Sequence, residues 1–253
     1  LIAQSVIKAM PDYDYVYLGD TLHVPYGKRS KQTIYDYSES CVDYLFREQN
    51  CQLIVTACNT VSAAALRQLQ QSYLPAHYPD RRILGVVVPT LEAAKDSGHT
   101  NIGVIATEYT INSNIYKEEL EKVSADIQIT QKATPLLVPL IEHDGVKYSD
   151  EILNDYLKPL KKSYITALIL GCTHYPRMKC KIQNILGEGI TILSQDDIIP
   201  VKLQDYLNRH PEHTSKLTRT RTRCYLVTDL TESYQTTAQS LCSEEITLEN
   251  VVI

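Results

Sequence analysis

ALILGCTHYP, residues 167–176, begins with four apolar residues and ends in a thiol, a hydroxyl and an imidazole. A short apolar run halted by Gly171 reads as a strand buried on both faces, as in a parallel sheet. Ligands of open α/β sheets lie outside the carboxyl ends of the strands, so Cys172, Thr173 and His174 face a crevice in this reading. QLIVTACNTVSAAA (52–65) repeats the grammar: Leu53 to Val55 lead to Cys58, Asn59 and Thr60, and an Ala-rich helix follows. Two strand-end cysteines stand nearly half the chain apart, which makes two matching halves the expectation.

Outward from these stretches, strand and helix patterns alternate. Strands are expected at 14–20, 51–57, 82–88 (closed by Pro89), 101–107, weakly at 126–131, and at 166–171, 189–194 and 224–228. Helices are expected at 30–50, 61–71, 111–122, 147–162, 197–209 and 231–242, and LIAQSVIKAM (1–10) already reads as the body of one. Within 30–50 the apolar stripe reads as Ile34, Tyr37, Cys41, Tyr44 and Leu45, with Ser30 as N-cap. Repeated βα units imply parallel sheets flanked by helices, an α/β fold. Pro89 and Pro200 are the expected crossings, giving one domain from 1–89 plus 201–253 and another from 90–200. The alternating Lys/Arg/Thr run 216–223 reads as a solvated edge strand.

Composition excludes several classes. With 253 residues and a net charge of −5, the chain lacks the dense cationic surface of a nucleic-acid protein. No apolar run approaches the roughly 18 residues of a membrane span, and no signal peptide is visible. The seven cysteines form no CxxC pair and no disulfide framework, which points to reduced thiols in the cytoplasm. Cys172 and His174 are the one close thiol–imidazole pair, and no second pair at ligand spacing accompanies it, so no metal is expected. Neither GxxxxGK[ST] nor GxGxxG occurs.

A lone strand-end cysteine is core filler by default. Two thiols facing one pocket suit a different chemistry, in which one removes a proton from a carbon and the other returns a proton to the opposite face. Thiols serve this purpose when their pKa is drawn toward neutrality, because both protonation states are then available. Hydroxyls at helix entrances, Thr60, Thr107 and Thr110 among them, suit the carboxylate of a small substrate.

In this order and spacing, LGDTLHVPYGKRS, VTACNTVSAAAL, GVIATEYTINSNIY, VPLIEHDG and LILGCTHYP resemble the glutamate racemases of the aspartate/glutamate racemase superfamily. The resemblance runs from Leu1 to about Tyr234. It implies a cofactor-independent isomerase that interconverts L- and D-glutamate for peptidoglycan, folded as two pseudo-symmetric α/β domains with the site between them, usually as a homodimer. The alternatives are a racemase of aspartate or another amino acid in the same superfamily, and a glutamate-binding relative without catalysis. Residue by residue, it assigns Cys58 to the D-enantiomer and Cys172 to the L-enantiomer, with His174 and Glu142 assisting. It assigns Tyr26 and Gly27 to the substrate-contacting PYG turn, and Asn59, Thr60, Thr107, Thr110 and Thr173 to the polar ring around the amino acid. The family pattern opens on a strand and an Asp-Ser-Gly loop ahead of the position of Leu1, so a preceding strand and an acidic partner for Cys58 are expected there. Thr90 replaces a usual Gly, and VTDL (227–230) a usual Ser-Gly-Asp.

Overall fold

A computed structural model of the chain describes residues 1–242 and 245–253. Its contacts define two compact units: residues 1–56, 64–84 and 200–253 form the first, and residues 57–63 and 85–199 the second.

The second unit contains a four-stranded parallel sheet in the order β5-β4-β6-β7, with β4 at Asn101–Ala106, β5 at Gln128–Ala133, β6 at Ala167–Gly171 and β7 at Thr191–Ser194. All five residues of β6 are buried. The physical reason is visible in how its side chains divide between faces. Ala167 and Ile169 join Ile102 and Val104 in one core, packed by the helices Val87–Asp96 and Ile115–Val123 through Leu91, Tyr116 and Leu120. Leu168 and Leu170 join Ile105 in the other, packed by Leu137–Glu142, Asp150–Lys162 and Lys179–Leu186 through Ile141, Leu157 and Ile182. A strand with helices on both faces has no use for a polar alternate position, which is why its sequence is a continuous apolar run.

Leu157 is fully buried in the second of these cores. Leu157→Ala is expected to cost about 2–5 kcal/mol of stability through lost transfer energy and a residual cavity. Val201→Ala, at a position 68% exposed, is expected to stay within about 0.5 kcal/mol. Urea denaturation midpoints of the two variants provide the check.

In the first unit β1 (Tyr15–Gly19), β8 (Arg223–Val227) and β9 (Leu248–Asn250) form a parallel sheet in the order β1-β8-β9. A two-stranded sheet pairs β2 (Leu53–Thr56) with β3 (Arg82–Gly85). The helix Lys31–Arg47 starts at Ser30, whose Oγ accepts the Thr33 N–H at 3.2 Å. Its buried face is Ile34, Ser38, Val42 and Phe46, a strict four-residue step. The stripe expected through Tyr37, Cys41 and Leu45 lies one position away and is only half-buried. Tyrosine weighs as apolar in a pattern yet keeps its hydroxyl near water or a partner, and Tyr37 instead stacks on His23 with ring centroids 3.9 Å apart.

Three other expectations change. The strand over 82–88 stops at Gly85, and Val87–Asp96 is a helix that contains Pro89 in its first turn. Proline fits there because first-turn N–H groups have no intrahelical acceptor, and a short apolar run does not by itself separate strand from helix. The helix expected at 111–122 is two, Glu108–Asn112 and Ile115–Val123, separated where Asn114 adopts φ of 57°. Residues 216–222 form no strand; Thr220 and Thr222 donate backbone N–H bonds to Asp14, and Arg221 pairs with Asp12. Asp14, whose carboxylate also accepts from the Thr218 hydroxyl, is thereby held at a pKa of about 2. Capping by an aspartate thus replaces sheet pairing in that segment.

Candidate active site

β6 delivers the first thiol. Gly171 is the last residue of the strand and is closely surrounded: a Cβ there would sit 3.0 Å from the Ile105 carbonyl oxygen, 3.1 Å from the Ala106 Cβ and 3.2 Å from the Tyr116 hydroxyl, so those neighbours would have to give by a few tenths of an ångström. The chain then turns through Cys172, buried at 7% exposure, and Thr173 to His174. Tyr175, fully buried, anchors the turn through its hydroxyl, 2.6 Å from the Thr134 hydroxyl. Gly171→Ala is expected to force β6 away from β4, lowering stability by about 1–3 kcal/mol and displacing Cys172. A fall in thermal midpoint together with slowed activity would be observed.

His174 lies between a thiol and a carboxylate. Its Nδ1 is 3.7 Å from Cys172 Sγ, and its Nε2 is 3.1 Å from Oε1 of Glu142, the last residue of the helix Leu137–Glu142. Burial alone would draw the imidazole pKa down. The hydrogen bonds and negative charges of Cys172 and Glu142 outweigh it and push the pKa up to about 10. The imidazole is therefore cationic at neutral pH, with its Nδ1 turned toward the sulfur.

The second thiol has a different setting. Cys58 immediately precedes the helix Asn59–Ala64, and its sulfur accepts from the backbone N–H groups of Thr60 and Val61 and from the Thr60 hydroxyl. Burial dominates and raises the Cys58 pKa, with the charge of Cys172 adding to the rise, while the three hydrogen bonds act in the opposite direction. Both cysteines belong to the second unit.

Three threonine hydroxyls meet close to this helix entrance. Thr60 Oγ1 is 3.0 Å from Thr107 Oγ1 and 3.4 Å from Thr110 Oγ1, and the last two are 3.0 Å apart. Thr107 also caps the helix Glu108–Asn112 by accepting the Thr110 N–H. Each hydroxyl can rotate its proton from a neighbouring oxygen toward an incoming anion. Cys58, Asn59, Thr60, Thr107, Thr110, Glu142, Cys172, Thr173 and His174 therefore all belong to one folded unit.

Tyr26 and Gly27 lie in the first unit, in the 3-10 turn Tyr26–Lys28 after β1. There Asp20 accepts from the Tyr26 hydroxyl, from the Thr228 hydroxyl at 2.7 Å, and pairs with His23 Nδ1 at 2.8 Å. Asp20 lies in the stretch LGDTLHVPYGKRS and Thr228 in VTDL, but their pairing becomes visible only once β1 and β8 are neighbours.

Asn59 behaves differently from its hydroxyl neighbours. Its side chain is buried and engaged by Gln195 and Tyr116, whose hydroxyl donates to Asn59 Oδ1 at 2.8 Å. Neither Gln195 nor Tyr116 stands out in the sequence. Among the described residues, three side chains in the first unit, His210, Glu212 and His213, place ligand-type atoms within 4.8 Å of one another, a grouping that motif spacing does not flag. Burial and the positive charges of Arg82 and Lys216 hold the His213 pKa low, and those same charges oppose a divalent cation there.

A profile of the Asp/Glu/Hydantoin racemase family matches residues 1–195. The glutamate racemase of Aquifex aeolicus (strain VF5) is 39% identical over 209 residues, covering 81% of this chain and 78% of its own length. That of Roseobacter denitrificans is 34% identical over 223 residues, covering 83% and 81%. The crystal structure of glutamate racemase isoform RacE1 from Bacillus anthracis matches with a TM-score of 0.89 at 29% identity, over 100% of this chain and 92% of that one. The glutamate racemase of Francisella tularensis in complex with D-glutamate matches at 0.87 and 28% identity, over 99% and 92%. Among the described residues, no helix is long and apolar enough to cross a membrane. With both thiol segments inside the matched region, the chain belongs to the Asp/Glu/Hydantoin racemase family and stands among its glutamate racemases.

Proposed function

We propose that this chain interconverts L- and D-glutamate by moving the Cα proton between Cys58 and Cys172. One thiolate removes the proton from one face, the carbanion is held by surrounding donors, and the other thiol protonates the opposite face. Following the family resemblance, Cys172 acts on L-glutamate and Cys58 on D-glutamate. The His174 imidazolium, with Glu142 beside it, supports the negative charge that Cys172 carries as a thiolate. Thr60, Thr107, Thr110 and Thr173 and the backbone beside Asn59 hold the substrate's ammonium and carboxylates.

The observation that carries this reading is the Cys172–His174–Glu142 chain of contacts, 3.7 and 3.1 Å long, in the same unit as a second thiol set at a helix entrance. A hydrolytic thiol would need one such centre. Two thiols in opposite electrostatic settings suit a reaction that must run from either enantiomer, because each protonation state has its own support. We further propose that the D-glutamate serves peptidoglycan synthesis and that the working form is a homodimer.

The test is circular dichroism of L- and of D-glutamate incubated separately with the protein, with L- and D-aspartate alongside. Decay of both glutamate signals to zero, with aspartate unchanged, is the expected result. Stable signals from both glutamate enantiomers would refute the proposal.

A further inference from the structure

We propose that Gln195 is the positioning residue for the Cys58 thiol, acting through the side chain of Asn59. This inference rests on the proposed role of Cys58, but its physical basis is separate. Gln195 is 1% exposed and opens the helix Gln195–Arg209 directly after β7. Its carboxamide pairs reciprocally with that of Asn59: Asn59 Nδ2 donates to Gln195 Oε1 at 2.8 Å, and Gln195 Nε2 donates back to Asn59 Oδ1 at 2.9 Å. Two parallel bonds fix rotation as well as distance, which a single bond does not.

The pair is braced on both sides. Gln195 Nε2 also lies 3.3 Å from Thr90 Oγ1 and 3.3 Å from the Tyr116 hydroxyl. Thr90 gives its own proton to the Val86 carbonyl at 2.6 Å, so toward Gln195 it can only accept. Tyr116 gives its proton to Asn59. Gln195 Nε2 has two hydrogens, so one serves Asn59 and the other is shared between Thr90 and Tyr116. Asn59, Thr90, Tyr116 and Gln195 are all buried, and loss of one member strands the others without water.

The connection to the thiol is short. Asn59 is the residue next to Cys58, and it begins the turn whose Thr60 and Val61 N–H groups point at the sulfur. Those donors stabilise a thiolate only while the turn keeps its orientation. Residues 57–63 are separated in sequence from the rest of the second unit, which resumes at Gly85, and the amide pair ties the segment to the end of β7. Thr90 supplies one of the braces.

The experiment reads the thiols directly and needs no substrate. Alkylation of each cysteine by iodoacetamide is followed by peptide mass spectrometry across pH in wild type and in Gln195→Met, which keeps the length but cannot pair with an amide. At pH 8 the Cys58 rate should fall about threefold to tenfold, as expected when hydrogen bonds to a thiolate are loosened, with the Cys172 rate unchanged. Racemisation should lose kcat with little change in KM. If Gln195→Met does not fold, Tyr116→Phe, which removes one bond to Asn59, should shift Cys58 in the same direction by a smaller factor. Gln195→Glu should keep the reciprocal pair with Asn59, without the bond to Thr90, at pH values where its buried carboxyl is neutral, and lose Cys58 reactivity further once it ionises. Equal slowing of both cysteines, or no selective change at Cys58 in a folded variant, overturns the proposal. Selective slowing in a protein that racemises nothing would keep the positioning role and remove the racemase reading.

Discussion

Cys172→Ser is expected to lower glutamate racemisation by about a hundredfold to ten-thousandfold, the usual contribution of a positioned acid or base. Serine is close in size but its hydroxyl does not ionise near neutral pH, so the imidazole 3.7 Å away has no thiolate to stabilise. Cys58→Ser should be equally damaging, because a proton removed on one face must be returned on the other. The two variants should differ in which enantiomer they still touch. In deuterium oxide, Cys172→Ser should exchange the Cα hydrogen of D-glutamate through Cys58, while Cys58→Ser should exchange that of L-glutamate through Cys172. NMR of recovered glutamate reads both. Full racemisation in either variant would end the two-thiol account.

The second large effect concerns His174. His174→Gln should lower turnover by about a hundredfold, with the greater loss when L-glutamate is the substrate. Its influence on stability has a definite sign. The folded pKa, about 10, lies above the ordinary histidine value of 6.5. The imidazolium therefore contributes stability fully below pH 6.5, and this contribution is lost as pH rises toward 10. Denaturation of wild type and His174→Gln across this range should give curves that are farthest apart at the acidic end and converge at the alkaline end. Curves separated by the same amount throughout would show that the Cys172 and Glu142 contacts do not bias the charge of His174.

Much of this is legible in the chain itself, for identifiable reasons. Buried parallel strands write themselves as apolar runs, so β4 and β6 stand out, and so does the thiol that follows β6. A cap such as Ser30 or Thr107 is a local event and can be read locally. What stays hidden depends on neighbours distant in sequence. Gln195 is an ordinary residue until Asn59 lies 2.8 Å from it. The helix that holds Pro89 reads as strand because Val86 to Val88 satisfy either pattern. Residues 216–222 alternate like a strand, yet Asp14 captures their N–H groups. In the tyrosine-rich helix Lys31–Arg47 the expected Ile34 is buried, but Tyr37, Cys41 and Leu45 read one position off the buried Ser38, Val42 and Phe46.

The amide pair between Asn59 and Gln195 joins residues 136 positions apart. During synthesis at about 5–20 residues per second, Asn59 would precede Gln195 by on the order of ten seconds. Over that interval the nascent chain carries Cys58 without the contacts that orient it. The thiol segment must then dock onto a body encoded almost entirely after it, so closing this long loop becomes a late event in folding. A chain arrested before residue 195 would hold all three side chains Cys58, Cys172 and His174, yet lack the residue that locks the first of them in place. Completeness of the site is in this sense reported by the end of β7, well after the last of its reactive groups has been made.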